Sequence, residues 1–230
     1  MIKDDKSIAF STVLASAVHD MKNSLSLLMH SIEDLGDSLQ QANPQTRNQL
    51  AAAHYEAGRL NTGLVQLLSL YRAGLDNLPI NIDAYDIEQI IDNLLTTNEN
   101  YLNHKNMILE VSQPADLIWY LDADLIGILL NDVLINAMRY SQQKIHLSVF
   151  IENNQLVFKV EDDGPGYPQS MLEANDVNMQ HYNIEKGRTG LGLFFARLIA
   201  NAHTKHKITG KISLENGGKL GGSVFTLTLP

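Results

Sequence analysis

From Ser7 to Leu39 the chain has almost no helix breakers, and its apolar residues step by three and four: Leu14, Val18, Met21, Leu25, Leu28, Ile32, Leu35 and Leu39. A strand would place them at every second position, so the spacing predicts one long helix, roughly 50 Å at 1.5 Å per residue. The stripe is heptad-like, as in helices that pack side by side. Gln40 to Asn43 with Pro44 reads as a turn, Pro44 suiting the first turn of a second helix. Thr46 to Ala73 repeats the rule with Leu50, Ala53, Ala57, Leu60, Leu64, Leu67 and Tyr71. Two such helices and a short loop predict an antiparallel hairpin. One hairpin cannot bury both stripes well, whereas two copies about a two-fold axis can, as a four-helix bundle. A homodimer through this segment is therefore expected. Gly74 to Pro79 ends the second helix and divides an expected domain 1–78 from a second, 79–230.

Beyond Pro79 the pattern mixes periods. Ile80 to Ala84 is a strand candidate, and Asp86 caps a helix reaching about His104, with Ile87, Ile90, Ile91, Leu94 and Leu95 on one face. Met107–Val111 and Leu117–Leu121 read as strands, and Asp122 or Asp124 begins a helix to about Tyr140. Lys144–Glu152 and Gln155–Val160 alternate apolar and polar around Asn153-Asn154, a hairpin signal. Gly164 to Thr189 reads as a long loop, Gly190 opens a helix to about Ala202, and Lys211–Leu214 with Ser223–Leu229 make a closing hairpin. The sum predicts an α+β sandwich, three helices on one face of a mixed, mostly antiparallel sheet.

Composition narrows the function classes. The net charge of −9 and the lack of a basic stripe argue against a nucleic-acid binder. There is no cysteine, hence neither a disulfide nor a thiolate metal site. The start, Met1 to Lys6, is too polar for a signal peptide, and no apolar run approaches the roughly eighteen residues of a membrane helix. A cytoplasmic protein is expected.

Five stretches carry candidate chemistry. His19-Asp20 with Asn23 lies one residue past the stripe position Val18, so it flanks the packed face. On the helix ending at Tyr140, Asp132 and Asn136 are four apart and share a face with Arg139 nearby, an oxygen-rich surface suited to Mg²⁺ on a triphosphate. Asp162-Asp163-Gly164-Pro165-Gly166 follows a strand, where glycines permit close backbone approach and a carboxylate can accept an exocyclic amine. Gly187-Arg188-Thr189-Gly190-Leu191-Gly192 enters a helix, whose free N–H groups form an anion site. Gly221-Gly222-Ser223 opens a final strand that is expected to pack under the pocket. Alone, each stretch has an ordinary structural reading: a solvated histidine, a buried amide, a β-turn, a tight turn. Their weight lies in occurring together and in this order.

In that order they resemble a bacterial sensor histidine kinase reduced to its catalytic core: a dimerisation and histidine phosphotransfer hairpin followed by a GHKL-type ATP-binding domain. The resemblance covers about Ser7 to Pro230. His19, Asp20 and Asn23 match the His box; Asn136, Arg139 and Tyr140 the N box; Asp162, Gly164 and Gly166 the G1 box; Gly190 and Gly192 the G2 box, with an ATP lid at about Tyr167 to Thr189. It implies that His19 takes the γ-phosphoryl group of ATP and passes it to an Asp of a response regulator. It further implies that Asn136 ligates Mg²⁺, that Asp162 accepts the adenine amine, and that Tyr140 borders the adenine. Arg139, Lys186 and Arg188 are the candidates for countering phosphate charge.

Three departures stand out. Asp132 occupies a usual Asn position, and is either a variant neighbour of the metal ligand or the acidic base of hydrolytic relatives. Ser24 stands where a helix-bending Pro is common, and Phe-rich lid signatures are hard to find. Asp20 is placed to orient His19 and take its proton, and Asn23 to position a water that dephosphorylates the regulator. His30, His54, His104, His146, His181, His203 and His206 are read as structural or surface residues. No sensory domain precedes Ser7, so input is expected from another chain, or else the sequence is a piece of a longer one. Two rival readings remain: a GHKL ATPase without phosphotransfer, and a phosphotransfer hub that does not use ATP.

Overall fold

The computed structural model describes residues 21, 23–32, 34–35, 46, 49–50, 53, 57–58, 60, 63–64, 78, 80–173 and 191–230. The chain divides into two compact units, Met1–Asn77 and Leu78–Pro230. In the first, every described residue is helical. Leu25, Ile32 and Ala57 are buried there, with Met29, Leu50 and Leu64 packed against them. The expected turn at 40–44 and most of the expected boundary lie outside the described residues, as does the segment 174–190.

The second unit is an α+β layer structure. Its five-stranded mixed sheet has the order β2 (Ile108–Ser112), β4 (Lys144–Glu152), β5 (Gln155–Asp162), β9 (Ser223–Leu229), β8 (Lys211–Asn216). β2 runs parallel to β4 and the other pairs are antiparallel. The register lines up one apolar face. Leu147 opposes Val160, which opposes Phe225, which opposes Leu214. Val149, Phe158 and Leu227 form the next row, and all of these side chains are buried. Two helices cover the sheet: α2 (Ala123–Tyr140) lies against β5, and α4 (Leu191–Ala202) against β8 and β9. α1 (Ile87–Lys105) packs on α2, where buried Asn98 donates to Asn131 Oδ1 at 2.8 Å.

Local chemistry sets the element ends. Asp86 caps α1 by accepting the Glu88 N–H at 3.0 Å, and Asn106, at φ 50°, closes it in the left-handed conformation. Asn153 and Asn154, at φ 50° and 59°, make the tight β4–β5 turn that two asparagines tolerate. Asp122, not Asp124, is the N-cap of α2: its Oδ1 accepts the Leu125 N–H at 3.0 Å, and its Oδ2 accepts the Asn81 N–H at 2.8 Å.

Four expectations are corrected. The first strand, β1, spans Asp83–Asp86 rather than 80–84 and pairs with β3 (Ile118–Leu121), because Asn81 is tied to Asp122 instead of to a strand. β5 and β8 each run two residues further than expected, to Asp162 and Asn216, because pairing continues, Asp162 with Ile145 of β4 and Asn216 with Ser223 of β9. The segment after Gly164 holds a short helix, α3 (Gln169–Glu173), started by Pro168, whose carbonyl accepts the Met171 and Leu172 N–H groups. A small ribbon, β6 (Thr204–Lys205) with β7 (Ile208–Thr209), was not foreseen. Its turn uses His206 and Lys207 at φ 48° and 68°, residue types that carry no turn signal.

His203, buried at the end of α4, fastens α4 to α2. Its Nε2 accepts the Asp122 backbone N–H at 3.0 Å, so the ring proton sits on Nδ1, which donates to the Ile199 carbonyl at 2.8 Å. Burial pushes its pKa below the ordinary 6.5, against smaller upward pulls from the Ile199 carbonyl and the Asp122 charge. The unfolded imidazole therefore takes a proton at higher pH than the folded one. The stability that His203 contributes is complete above pH 6.5 and declines as pH falls below it. His203→Leu, which orphans a buried N–H, is expected to cost about 1–3 kcal/mol. It should also remove part of the acid-side loss of stability. Denaturant titrations followed by Trp119, the one tryptophan of the chain, check both.

Candidate functional site

Strand alternation builds the site. In β5 the side chains of Leu156, Phe158 and Val160 face the helices, so Asp162 must follow them to that side, opposite Ile145. It is 4% exposed, a carboxylate at the end of an apolar row. Its Oδ1 accepts two backbone N–H groups, from Gly164 at 2.7 Å and Ser223 at 3.1 Å. Its carbonyl accepts the Gly222 N–H at 2.9 Å. Among the described residues no hydrogen bond occupies Oδ2, so that oxygen keeps its capacity to accept one.

Glycine is required twice. A Cβ on Gly164 would collide with the carbonyl of Tyr140 at the end of α2 and with Asp162 Oδ1. A Cβ on Gly222 would collide with the Asp162 carbonyl, its Oδ1 and the Gly164 nitrogen. The backbones of three separate segments thus converge on one carboxylate. Asp163 locks the fourth side, accepting the Gln142 and Gln143 N–H groups at 2.8 Å and 3.0 Å. Burial would raise the Asp163 pKa, but the bonds from Gln143, Lys144 and Gln142 outweigh it and the carboxyl titrates below its ordinary value.

On α2 the buried side is Leu130, Leu134, Ala137 and Met138, whereas Asn136, Arg139 and Tyr140 are exposed and Asp132 is half-buried. Gly166, at φ 82°, ends the Asp162 turn. The next residue, Tyr167, has its phenol pKa raised by burial and by the Asp162 charge. Gly192 is in the first turn of α4, whose first residue is Leu191. The structure therefore joins Asp162 and Gly164 to Tyr140, with Gly166 beside them. Asn23 is helical and exposed, in the other unit. His19, Asp20, Lys186, Arg188, Thr189 and Gly190 lie outside the described residues. Gly222 and Ser223 touch Asp162 directly, a role that the sequence reading, which had them only under the pocket, did not name. The Gly221-Gly222 pair was the available signal. Asp163, Tyr167 and Asn216 were missed, since nothing in their spacing marks them.

Among the described residues no cluster of three or more His, Asp or Glu side chains could hold a metal unaided. The exposed amide of Asn136 and the Asp132 carboxylate on one face of α2 suit a hard cation bound mainly through phosphate and water.

Residues 121–230 match the family model of histidine kinase-, DNA gyrase B- and HSP90-like ATPases. The matched segment runs from the end of β3 to the last strand, β9. The wider resemblance, to a sensor histidine kinase catalytic core, is borne out by the relatives. The sensor protein SrrB of Staphylococcus aureus (strain N315) is 23% identical over 227 residues, 94% of this chain. The chain spans 37% of that relative's length. The histidine kinase AdeS of Acinetobacter baumannii superposes with a TM-score of 0.59 at 23% identity, covering 83% of this chain and 96% of that one. Full-length ShkA, solved in complex with AMPPNP, gives 0.61 at 18% identity, over 95% of this chain and 45% of that one. These likenesses carry the fold.

Gly222→Ala is expected to destabilise the second unit by about 1–3 kcal/mol, because two of the three colliding atoms are backbone and cannot swing aside. Gly127→Ala, in the interior of α2 with open space around its Cβ position, should instead stabilise it by about 0.5–1 kcal/mol. Paired denaturation curves read both signs.

Proposed function

We propose that the chain is the catalytic core of a two-component sensor histidine kinase. Residues 1–78 are its dimerising phosphotransfer hairpin and 79–230 its ATP-binding domain. The reading is carried above all by Asp162, a buried carboxylate with one oxygen held by backbone N–H groups and one left to accept, inside a GHKL-type ATPase domain. In this reading the adenine amine donates to Asp162, Tyr140 borders the ring, and the backbone about Gly164, Gly166, Gly190 and Gly192 lets the nucleotide approach closely. Thr189 and Leu191 flank the anion-binding helix start, and Arg139, Lys186 and Arg188 offset phosphate charge. Mg²⁺, held through the phosphates with Asn136 and Asp132 as its protein neighbours, would supply charge neutralisation.

His19 is the phosphoacceptor. Near neutral pH much of an ordinary histidine is unprotonated and nucleophilic. One ring nitrogen attacks the γ-phosphorus as the bond to ADP breaks, and Asp20 takes up the proton from the other nitrogen. Positioning and charge neutralisation do most of the work, since phosphoryl transfer asks little covalent chemistry of the protein. The phosphoryl group then passes to an Asp of a response regulator receiver domain, and Asn23 orients a water for its later removal.

A homodimer through the hairpin is supported by what one chain leaves uncovered. Leu25, Ile32 and Ala57 are buried within it, while Met21, Leu28, Leu35 and Leu60, positions of the same stripes, are at least half exposed. A second copy supplies the matching surface. Input from a separate sensor or upstream protein belongs to the same reading. Among the described residues no helix is long and apolar enough to cross a membrane.

Incubation with γ-labelled ATP and Mg²⁺ tests the function. Acid-labile, base-stable label on the protein, lost in His19→Gln, is the expected result. Phosphate release without protein label would make the chain a GHKL ATPase, with Asp132 as base. Absence of nucleotide binding would leave a phosphotransfer hub. Asp162→Asn should weaken ATP binding by about 10–100-fold, the worth of a hydrogen bond to a charged group. Asn23→Ala should slow regulator dephosphorylation while sparing autophosphorylation; an unchanged rate counts against the phosphatase role.

A further inference from the structure

We infer that Asn216 is a positioning residue for the nucleotide site, holding Tyr167 beside Asp162; the inference rests on the ATP-binding reading above. Asn216 is the last residue of β8. Its Oδ1 accepts the Tyr167 backbone N–H at 2.7 Å, and its Nδ2 donates to the Tyr167 carbonyl at 3.0 Å. An amide that both accepts from and donates to one residue's backbone does what a neighbouring strand would do. Tyr167 is thereby fixed like one more rung at the edge of the sheet. Among the described residues no other hydrogen bond holds its backbone.

The surroundings are cut to this contact. A Cβ on Gly166 would lie 2.8 Å from the Asn216 amide, so glycine there makes room for the clamp as well as allowing φ 82°. Pro168 restricts Tyr167 to extended backbone, and its carbonyl starts α3. The β8–β9 turn that begins at Asn216 grips β5 too. Lys219 N–H donates to Glu161 Oε1 at 3.0 Å, and Ser223 N–H donates to Asp162 Oδ1 at 3.1 Å. One turn thus holds Glu161, Asp162 and Tyr167 in a single arrangement. Burial and the Asp162 charge both raise the Tyr167 phenol pKa, in keeping with a ring close to that carboxylate.

Cutting the clamp lets the Gly166–Tyr167 peptide leave this arrangement. Affinity then falls in proportion to the fraction of molecules that remain competent. In the full chain, Asn216→Ala is expected to speed hydrogen exchange at the Tyr167 amide without nucleotide. It should also raise the KM for ATP in autophosphorylation about tenfold, leaving kcat at saturating ATP nearly unchanged. Asn216→Asp, which keeps the acceptor and loses the donor, should fall between; it serves alone if the alanine variant does not fold. Faster exchange with an unaltered KM overturns the inference, as does unaltered exchange, or a loss of kcat at constant KM. Wild-type protein that binds no ATP defeats the ATP-binding reading itself, and the inference with it, which separates that failure from failure of the clamp.

Discussion

The two backbone N–H groups that meet Asp162 Oδ1 are the contact on which the rest of the site depends. A carboxylate 4% exposed is costly to bury unless donors replace its water. Gly164 and Ser223 supply them from two segments that the fold must bring to the same point. Because the donors are backbone, their directions are set by the sheet and the turn, not by rotamers. One carboxylate oxygen is consumed in holding the site together, and among the described residues no hydrogen bond occupies the other.

The same strand separates two jobs in neighbouring residues. Alternation sends Asp162 to the helix side and Glu161 to the opposite face, where Lys159 Nζ lies 3.2 Å from it and His146 Nδ1 3.6 Å. Burial would raise the Glu161 pKa, but the Lys219 N–H, Lys159 and His146 together hold it below the ordinary value. Helix α2 shows a comparable economy. Asp122 ties its first turn to Asn81 and, through its N–H, to His203, while Asp163 ties the turn after Tyr140. With both ends anchored, the exposed face bearing Asn136 keeps a constant relation to the strand that carries Asp162.

Legibility followed the range of the interaction. Periodicity and caps are local, so α1, α2, the β4–β5 hairpin and the Asp86 cap could be read directly. Asp162, Gly164 and Gly166 could be read because a strand followed by a glycine turn is itself a local signal. Asn216, Asp163 and Ser223 could not be read in their roles: each acts on a partner 20 or more residues away, and a lone Asn at a strand end has many ordinary uses. The strand at 80–84 failed for a related reason. Its apolar alternation was real, but a long-range bond from Asn81 to Asp122 took the backbone donor that a strand needs.

The hairpin raises a different question of faces. Successive residues on a helix point about 100° apart. In the proposed hairpin, Val18 on the apolar stripe and His19, proposed to meet ATP, would be adjacent in sequence and divergent in direction. Under the proposed function, this would let dimerisation and phosphorylation share one helix without competing for surface. Asn23, one turn after His19, is exposed, while Leu25 and Ile32 are buried against the second helix. The stripe residues still uncovered in one chain, Met21, Leu28 and Leu35, are the ones a second copy would cover, which would leave the polar face to solvent. A nucleophile that a second domain must reach, and that a regulator must reach afterwards, needs such a face. In the proposed function, the stripe that would form the hairpin keeps the histidine beside it off the packed face.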